Sequence, residues 1–200
     1  MPAPVDPPLK RHVWNWAGLL RKPQELPKLE EIGRPFPKHI KEMPKGLTEE
    51  EYVLAFLRAF DPQADIDSEI RYRDVAGNDI VISKRLFQDA QGRWKVLKRE
   101  RWRYILFMAE ALKDPDEVWL SIDPQALRAM PEDVAVAGKA IIDRRYIRYD
   151  PTVGILIVFE WNWRQWVGET AFAPQRTKKR KASPKQLDRR RQGELLYRRK

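Results

Sequence analysis

The sequence predicts an α+β fold: N-terminal helices, then a four- to five-stranded antiparallel sheet, with a proline-rich extended leader in front. Three observations predict it. Thr48 to Phe60 and Lys98 to Lys113 carry apolar residues near helical spacing. From Glu117 onward, short runs rich in Val, Ile and aromatic residues alternate with turn signals. Nine of the sixteen prolines fall in the first 45 residues, where they exclude long helices and central strands.

Residues 1–45 therefore read as an extended leader or linker. Trp14, Trp16, Leu19 and Leu20 interrupt it as an apolar island, suited to docking on a partner or on this same domain. Thr48 with Glu51 forms a capping box. Tyr52, Leu54, Phe56, Leu57 and Phe60 then give a helix an apolar side, and Asp61-Pro62 stops it. A hairpin follows, Ile70 to Val75 and Ile80 to Ile82 around Gly77-Asn78, and Ser83 caps a short helix over residues 84–88. In Lys98 to Lys113, Trp102, Ile105, Ala109 and Leu112 form one stripe. Its first turns hold Lys98, Arg99, Arg101 and Arg103, positive charge that opposes the helix dipole and is better tolerated beside an anion. The strands are Glu117 to Ile122, Ile141 to Tyr149, Ile155 to Trp163, Trp166 to Phe172 and Glu194 to Tyr197. Helical turns are expected at Gln125 to Ala129 and Pro184 to Arg191. The division is thus a leader over 1–45, expected to be separable, and a compact domain over 46–200.

Composition excludes several function classes. With 42% hydrophobic residues the chain has material for one core, and with no cysteine it has neither disulfides nor a thiolate site. Its two histidines, His12 and His39, both lie in the leader, which argues against histidine-based catalysis or metal binding. No apolar run approaches the ~20 residues of a membrane span, and the opening MPAPVDPPLK lacks the apolar segment of a signal peptide. No membrane partner and a cytoplasmic location are expected. The net charge of +10 is concentrated at one end: residues 176–200 hold twelve Lys or Arg against Asp188 and Glu194, and the rest balances. That points to a polyanion near the C-terminal segment, against the alternative of a solvated basic tail.

Candidate chemistry is sparse in carboxylate sites and richer in basic ones. Asp65, Asp67 and Glu69 alternate like a calcium loop, but Ile70 and Ala76 stand where glycine and glutamate are required. Asp114, Asp116 and Glu117 make a weak magnesium set. No metal and no cofactor are expected. Lys98, Arg99 and Arg101 open a helix, and strand alternation puts Arg144, Tyr146 and Arg148 on one face with Arg145 and Ile147 on the other. Such a surface can hold phosphates and stack a base, or it can be a solvated sheet face. Lys178, Lys179, Arg180 and Lys181 are the densest basic run and would add sequence-independent contacts.

The order of motifs resembles a known family. They are Lys98-Arg99 through the apolar helix, Asp114-Pro115-Asp116-Glu117-Val118-Trp119, Arg144-Arg145-Tyr146-Ile147, Phe159-Glu160-Trp161, Trp166-Val167-Gly168-Glu169-Thr170-Ala171-Phe172 and Leu187-Asp188-Arg189 to Gly193-Glu194-Leu195-Leu196-Tyr197-Arg198. Together, over about residues 50–200, they are similar to the phage-associated barnase–EndoU–colicin–RelE-like nuclease domain, second type, as found in Mu-type phage head-morphogenesis proteins. The resemblance implies two helices before a four-stranded antiparallel sheet. It also implies metal-independent RNA cleavage by the ribose 2′-hydroxyl, in the role of a toxin or effector. On that pattern Arg101 with Arg145 or Arg144 would clamp the phosphate, Tyr146 or Glu117 would move a proton, and Thr170 would orient phosphate or water. Lys98, Arg99 and Arg144 would bind substrate, and Arg191 with Tyr197 would close the site. RNA is the expected partner, with phage head or portal proteins as partners of the leader, in the host cytoplasm or in the virion. A non-catalytic nucleic-acid-binding module and a head-assembly protein stay open as alternatives. Convergence of Lys98, Arg101, Arg145, Thr170 and Tyr197 on one cleft would favour the nuclease.

Overall fold

A computed structural model describes residues 23, 25–122, 142–162, 164–176 and 181–200. Its centre is a mixed seven-stranded sheet in the order β1-β2-β6-β5-β4-β3-β9. The strands are β1 (Ile70–Arg73), β2 (Asp79–Ile82), β3 (Glu117–Ile122), β4 (Ile142–Tyr149), β5 (Gly154–Trp161), β6 (Trp166–Phe172) and β9 (Glu194–Arg198). A separate two-residue ladder joins β7 (Gln175–Arg176) and β8 (Lys181–Ala182). The expectation of four to five antiparallel strands is corrected on both counts. The β1–β2 hairpin is not a satellite: β2 joins β6 in parallel, through Ile80↔Trp166 and Val81↔Val167. β9 covers the far side of β3, where a bare edge would otherwise stand.

Both faces of the central strands are buried, and alternation divides them. One face carries Val118, Leu120, Tyr146, Ile157 and Phe159 beneath α2 (Glu49–Arg58) and α3 (Ile105–Lys113). α2 begins at the expected capping box, with both reciprocal bonds between Thr48 and Glu51 present. The other face carries Trp119, Ile147, Tyr149, Leu156 and Val158, packed against Leu29 of α1 (Leu29–Ile32) and Leu187 of α4 (Pro184–Asp188).

Residues 25–45, inside the span read as a leader, lie on the domain as a strap. The Arg34 backbone N–H donates to the Tyr149 carbonyl at 3.0 Å, and the Arg34 side chain pairs with Asp114. Phe36 packs edge-on against Phe107, and the Tyr52 hydroxyl donates to the Pro44 carbonyl at 2.8 Å. Gly33 permits the close crossing, since a Cβ there would sit 2.5 Å from the Tyr149 carbonyl oxygen. The prolines keep the strap extended, and Leu26, Leu29 and Ile32 give it an apolar side to dock.

The basic helix start is also corrected. α3 begins at Ile105, not Lys98, and Lys98–Tyr104 is a 3-10 segment in which Arg99 and Glu100 are left-handed at φ 55°. Stacked positive charge disfavours the first turn of an α-helix, and here the α-helix starts beyond it. The Trp14/Trp16 island, the turn expected at Gln125 to Ala129, and Lys178, Lys179 and Arg180 lie outside the described residues. Lys181 is described only as backbone in β8.

Candidate nucleic-acid interface

The candidate site is built where β6 loses its outer neighbour. β2 accompanies β6 only at Trp166 and Val167. Beyond that point the 3-10 turn Lys84–Phe87 packs along β6. Gly168 allows the approach: a Cβ there would stand 2.4 Å from Leu86 Cγ. Between Gly168, opposite Phe159, and Thr170, opposite Val158, Glu169 is an extra residue that makes a β-bulge. A bulge re-aims side chains, and such features concentrate near active sites.

Lys95 reaches the bulge, donating from Nζ to the Glu169 carbonyl at 2.8 Å. The Arg101 guanidinium lies 5.8 Å from the centre of the Phe172 ring. Its Nε and Nη1 are buried and have no hydrogen-bond partner among the described residues. Burial holds Arg101 below its ordinary value, Arg99 pushes the same way, and Glu169 opposes them. Burial likewise depresses the Lys95 ammonium; Glu169 opposes this, while Arg101 and Lys98 add to the depression. Four cations thus act on one another around Glu169. Two are partly desolvated and one keeps unused donors, which is how a protein prepares to receive an anion. The left-handed Arg99 and Glu100, each costing about 1–3 kcal/mol, hold the turn that delivers Arg101.

The sequence-selected residues fall into separate places. Lys98, Arg99 and Arg101 share the 3-10 segment, and Thr170 stands on β6 next to the bulge. Arg145, Val158 and Thr170 sit side by side across three adjacent strands on one sheet face, so the Arg145 and Thr170 backbones are about 10 Å apart. Arg145 is itself buried, donating to Asp143 at 2.9 Å. The pairing of Arg144 and Tyr146 on one face holds, but that face lies under the helices. There the Arg144 Nε donates to Asp74 at 2.7 Å and to the Tyr146 hydroxyl at 2.8 Å, and the Tyr146 hydroxyl donates to Asp74 at 2.5 Å. Burial raises the Tyr146 phenol well above its ordinary value. Glu117 is fully buried, held by Arg191, by Arg198 at 3.0 Å and by the Trp119 indole N–H at 2.8 Å. Tyr197 packs towards the helix-covered face. The five residues proposed to meet in one cleft therefore do so only in part.

Lys95 and the Glu169 carboxylate were missed as site residues. Lys95 carried no local signal, because what recruits it is a contact across 74 residues. The Glu169 bulge was hinted at by the glycine before it. Asp116 was read only as a weak metal ligand. It is buried, accepts from the Tyr149 backbone N–H at 2.7 Å, and burial raises it to about 6 against the pull of that bond, Arg148 and Arg34. Among the described residues no cluster of three or more His, Cys, Asp or Glu is placed to hold a metal ion, and no helix is long and apolar enough to cross a membrane.

A family model described as phage-Barnase-EndoU-ColicinE5/D-RelE like nuclease2 matches residues 55–198. No curated protein and no solved structure matches the chain.

Proposed function

The chain belongs to the phage-Barnase-EndoU-ColicinE5/D-RelE-like nuclease family, second type, and on that premise we propose that it cleaves RNA without a metal, at the cluster around Arg101 and Glu169. The observation that carries the reading is the half-buried Arg101 guanidinium, with two donors that have no partner among the described residues, beside Lys95 and the bulged Glu169. In this reaction the ribose 2′-oxygen attacks the adjacent phosphorus and the bond to the 5′-oxygen breaks. The products are a 2′,3′-cyclic phosphate and a 5′-hydroxyl. Arg101 holds the non-bridging oxygens as charge builds on them, and Thr170 orients the phosphate. Glu169 accepts the 2′-hydroxyl proton. Lys95, whose ammonium is made more acidic by burial, delivers a proton to the leaving 5′-oxygen. Exchange with water restores both groups. Tyr146 and Glu117 are locked in buried networks, so the proton steps pass to residues at the cluster edge.

The test is incubation of the purified chain with single-stranded RNA, and with DNA of the same sequence, in chelator, followed by end-group analysis. Cyclic phosphate ends from RNA alone are expected. Loss of cleavage in chelator with rescue by magnesium would overturn the mechanism. Binding of RNA by a folded chain without any cleavage would make it a binding module.

A further inference from the structure

We propose that the groove between the β1–β2 and β5–β6 hairpins is a second contact for the backbone of a single-stranded nucleic acid, remote from the cleaved bond. The proposal rests on the nuclease reading. The groove has a volume of about 230 Å³ and is lined by Arg71, Arg73, Asn78, Arg164, Gln165 and Trp166 among others. Its charge is one-sided. Asp79 is its one carboxylate; it meets Arg73 at 3.4 Å with both side chains more than half exposed, a pairing that water screens. The Arg71 and Arg164 side chains, both exposed, have neither a hydrogen bond nor an ion pair among the described residues, so their guanidinium donors are free for a ligand.

The spacing suits a polymer. Arg71 and Arg73 alternate with the inward-facing Ile70 and Tyr72, so both project from the same exposed side of β1. Residues two apart on a strand are about 7 Å apart, comparable to the phosphate repeat of an extended single strand. Trp161 and Trp166, buried in the helix-covered core and packed edge-on at 5.3 Å, close the groove from behind and make it rigid. A cationic groove that follows the backbone is how proteins hold single strands without reading sequence. Asn78 and Gln165 add amide donors for sugar or phosphate oxygens.

The groove is also continuous with the candidate site. Trp166, in the groove, and Thr170, at the bulge, lie on one strand, four residues or about 13 Å apart. A nucleic acid whose scissile phosphate sits at Arg101 and which follows β6 arrives between Arg71 and Arg164 within a few nucleotides. A short substrate does not reach it.

The experiment uses the full chain carrying Arg71→Gln and Arg164→Gln, both on exposed side chains, with melting compared to confirm the fold. Fluorescence anisotropy follows a labelled single-stranded RNA of about twelve nucleotides, 2′-O-methylated to prevent cleavage, across a salt series. Turnover of a dinucleotide is measured in parallel. Affinity for the long strand should fall at least fivefold, and the slope against log salt should flatten by about 1.4 for two lost phosphate contacts. Dinucleotide turnover should be unchanged. Equal affinity and slope for variant and parent would overturn the second contact and leave the nuclease reading standing. Failure of the parent to bind or cleave any strand would overturn both.

Discussion

Arg191 and Glu117 meet in a two-point ion pair: Nε to Oε2 and Nη2 to Oε1 are both 2.7 Å, and neither side chain is more than 1% exposed. The same guanidinium donates to the Pro27 carbonyl at 2.8 Å, so one side chain ties the last strand region, β3 and the strap together. Removing one partner of such a pair leaves a buried charge, at a cost of about 3–5 kcal/mol. Glu117→Gln should therefore lose stability of that order in urea unfolding. Replacing both residues, Glu117→Met with Arg191→Leu, should cost less than Glu117→Gln alone. A larger loss in the double variant would show that the pair is worth more than its desolvation.

Asp116 makes stability depend on pH. Its carboxyl is raised to about 6 when folded, chiefly by burial. A folded state that holds a proton more tightly than the unfolded one gains from low pH. The contribution is full below about pH 4 and lost as pH rises through about 6. It amounts to about 3 kcal/mol at most. Asp116→Asn should remove this slope while keeping an acceptor for the Tyr149 N–H. Urea midpoints from pH 4 to 7 check it, and an unchanged slope in the variant would assign the dependence elsewhere.

At the candidate site, Arg101→Lys should keep the charge yet lose about tenfold to a thousandfold in cleavage rate, because the fork of donors is gone. Glu169→Gln should abolish the acid limb of the rate–pH profile. The alkaline limb should fall below that of an ordinary lysine, as burial depresses Lys95, and should disappear in Lys95→Met. By contrast Arg145→Lys should appear mainly as lost stability, since Arg145 spends its donors on Asp143.

The strap gives a test of domain limits. A chain starting at residue 46 lacks Leu29, the Arg34 contacts and Phe36, and should melt about 10 °C or more below the full chain. Gly33→Ala should cost about 1–3 kcal/mol, because both near oxygens, on Tyr149 and Leu29, are backbone and cannot swing aside. Melting of the shortened chain at the full-length temperature would show that the strap adds nothing to the core.

What could be read from the chain was local. β3 and β6 fall where alternation put them, and α2 starts at its capping box. The parallel β2–β6 pairing was not legible, because it joins Ile80 to Trp166 with no signal near either. The arginines misled for a related reason. Charge normally marks a surface, yet Arg144, Arg145, Arg148 and Arg191 are buried. Arg144 and Arg191 find carboxylates 70 and 74 residues away. Arg101 was legible as a phosphate ligand by type. Its unused donors follow from packing against β6, which no window of sequence contains.

Glu117 precedes Arg191 by 74 residues and Arg198 by 81. On a ribosome the first interval lasts roughly 4–15 seconds. Throughout it, β3 carries a carboxylate that cannot be buried for want of a counter-charge, and its far edge has no strand to cover it. The strap lacks its Pro27 anchor for the same interval. The domain therefore closes late, when nearly all of it has been made. A chain that stops before Arg191 keeps Glu117 without this counter-charge and β3 without its covering strand.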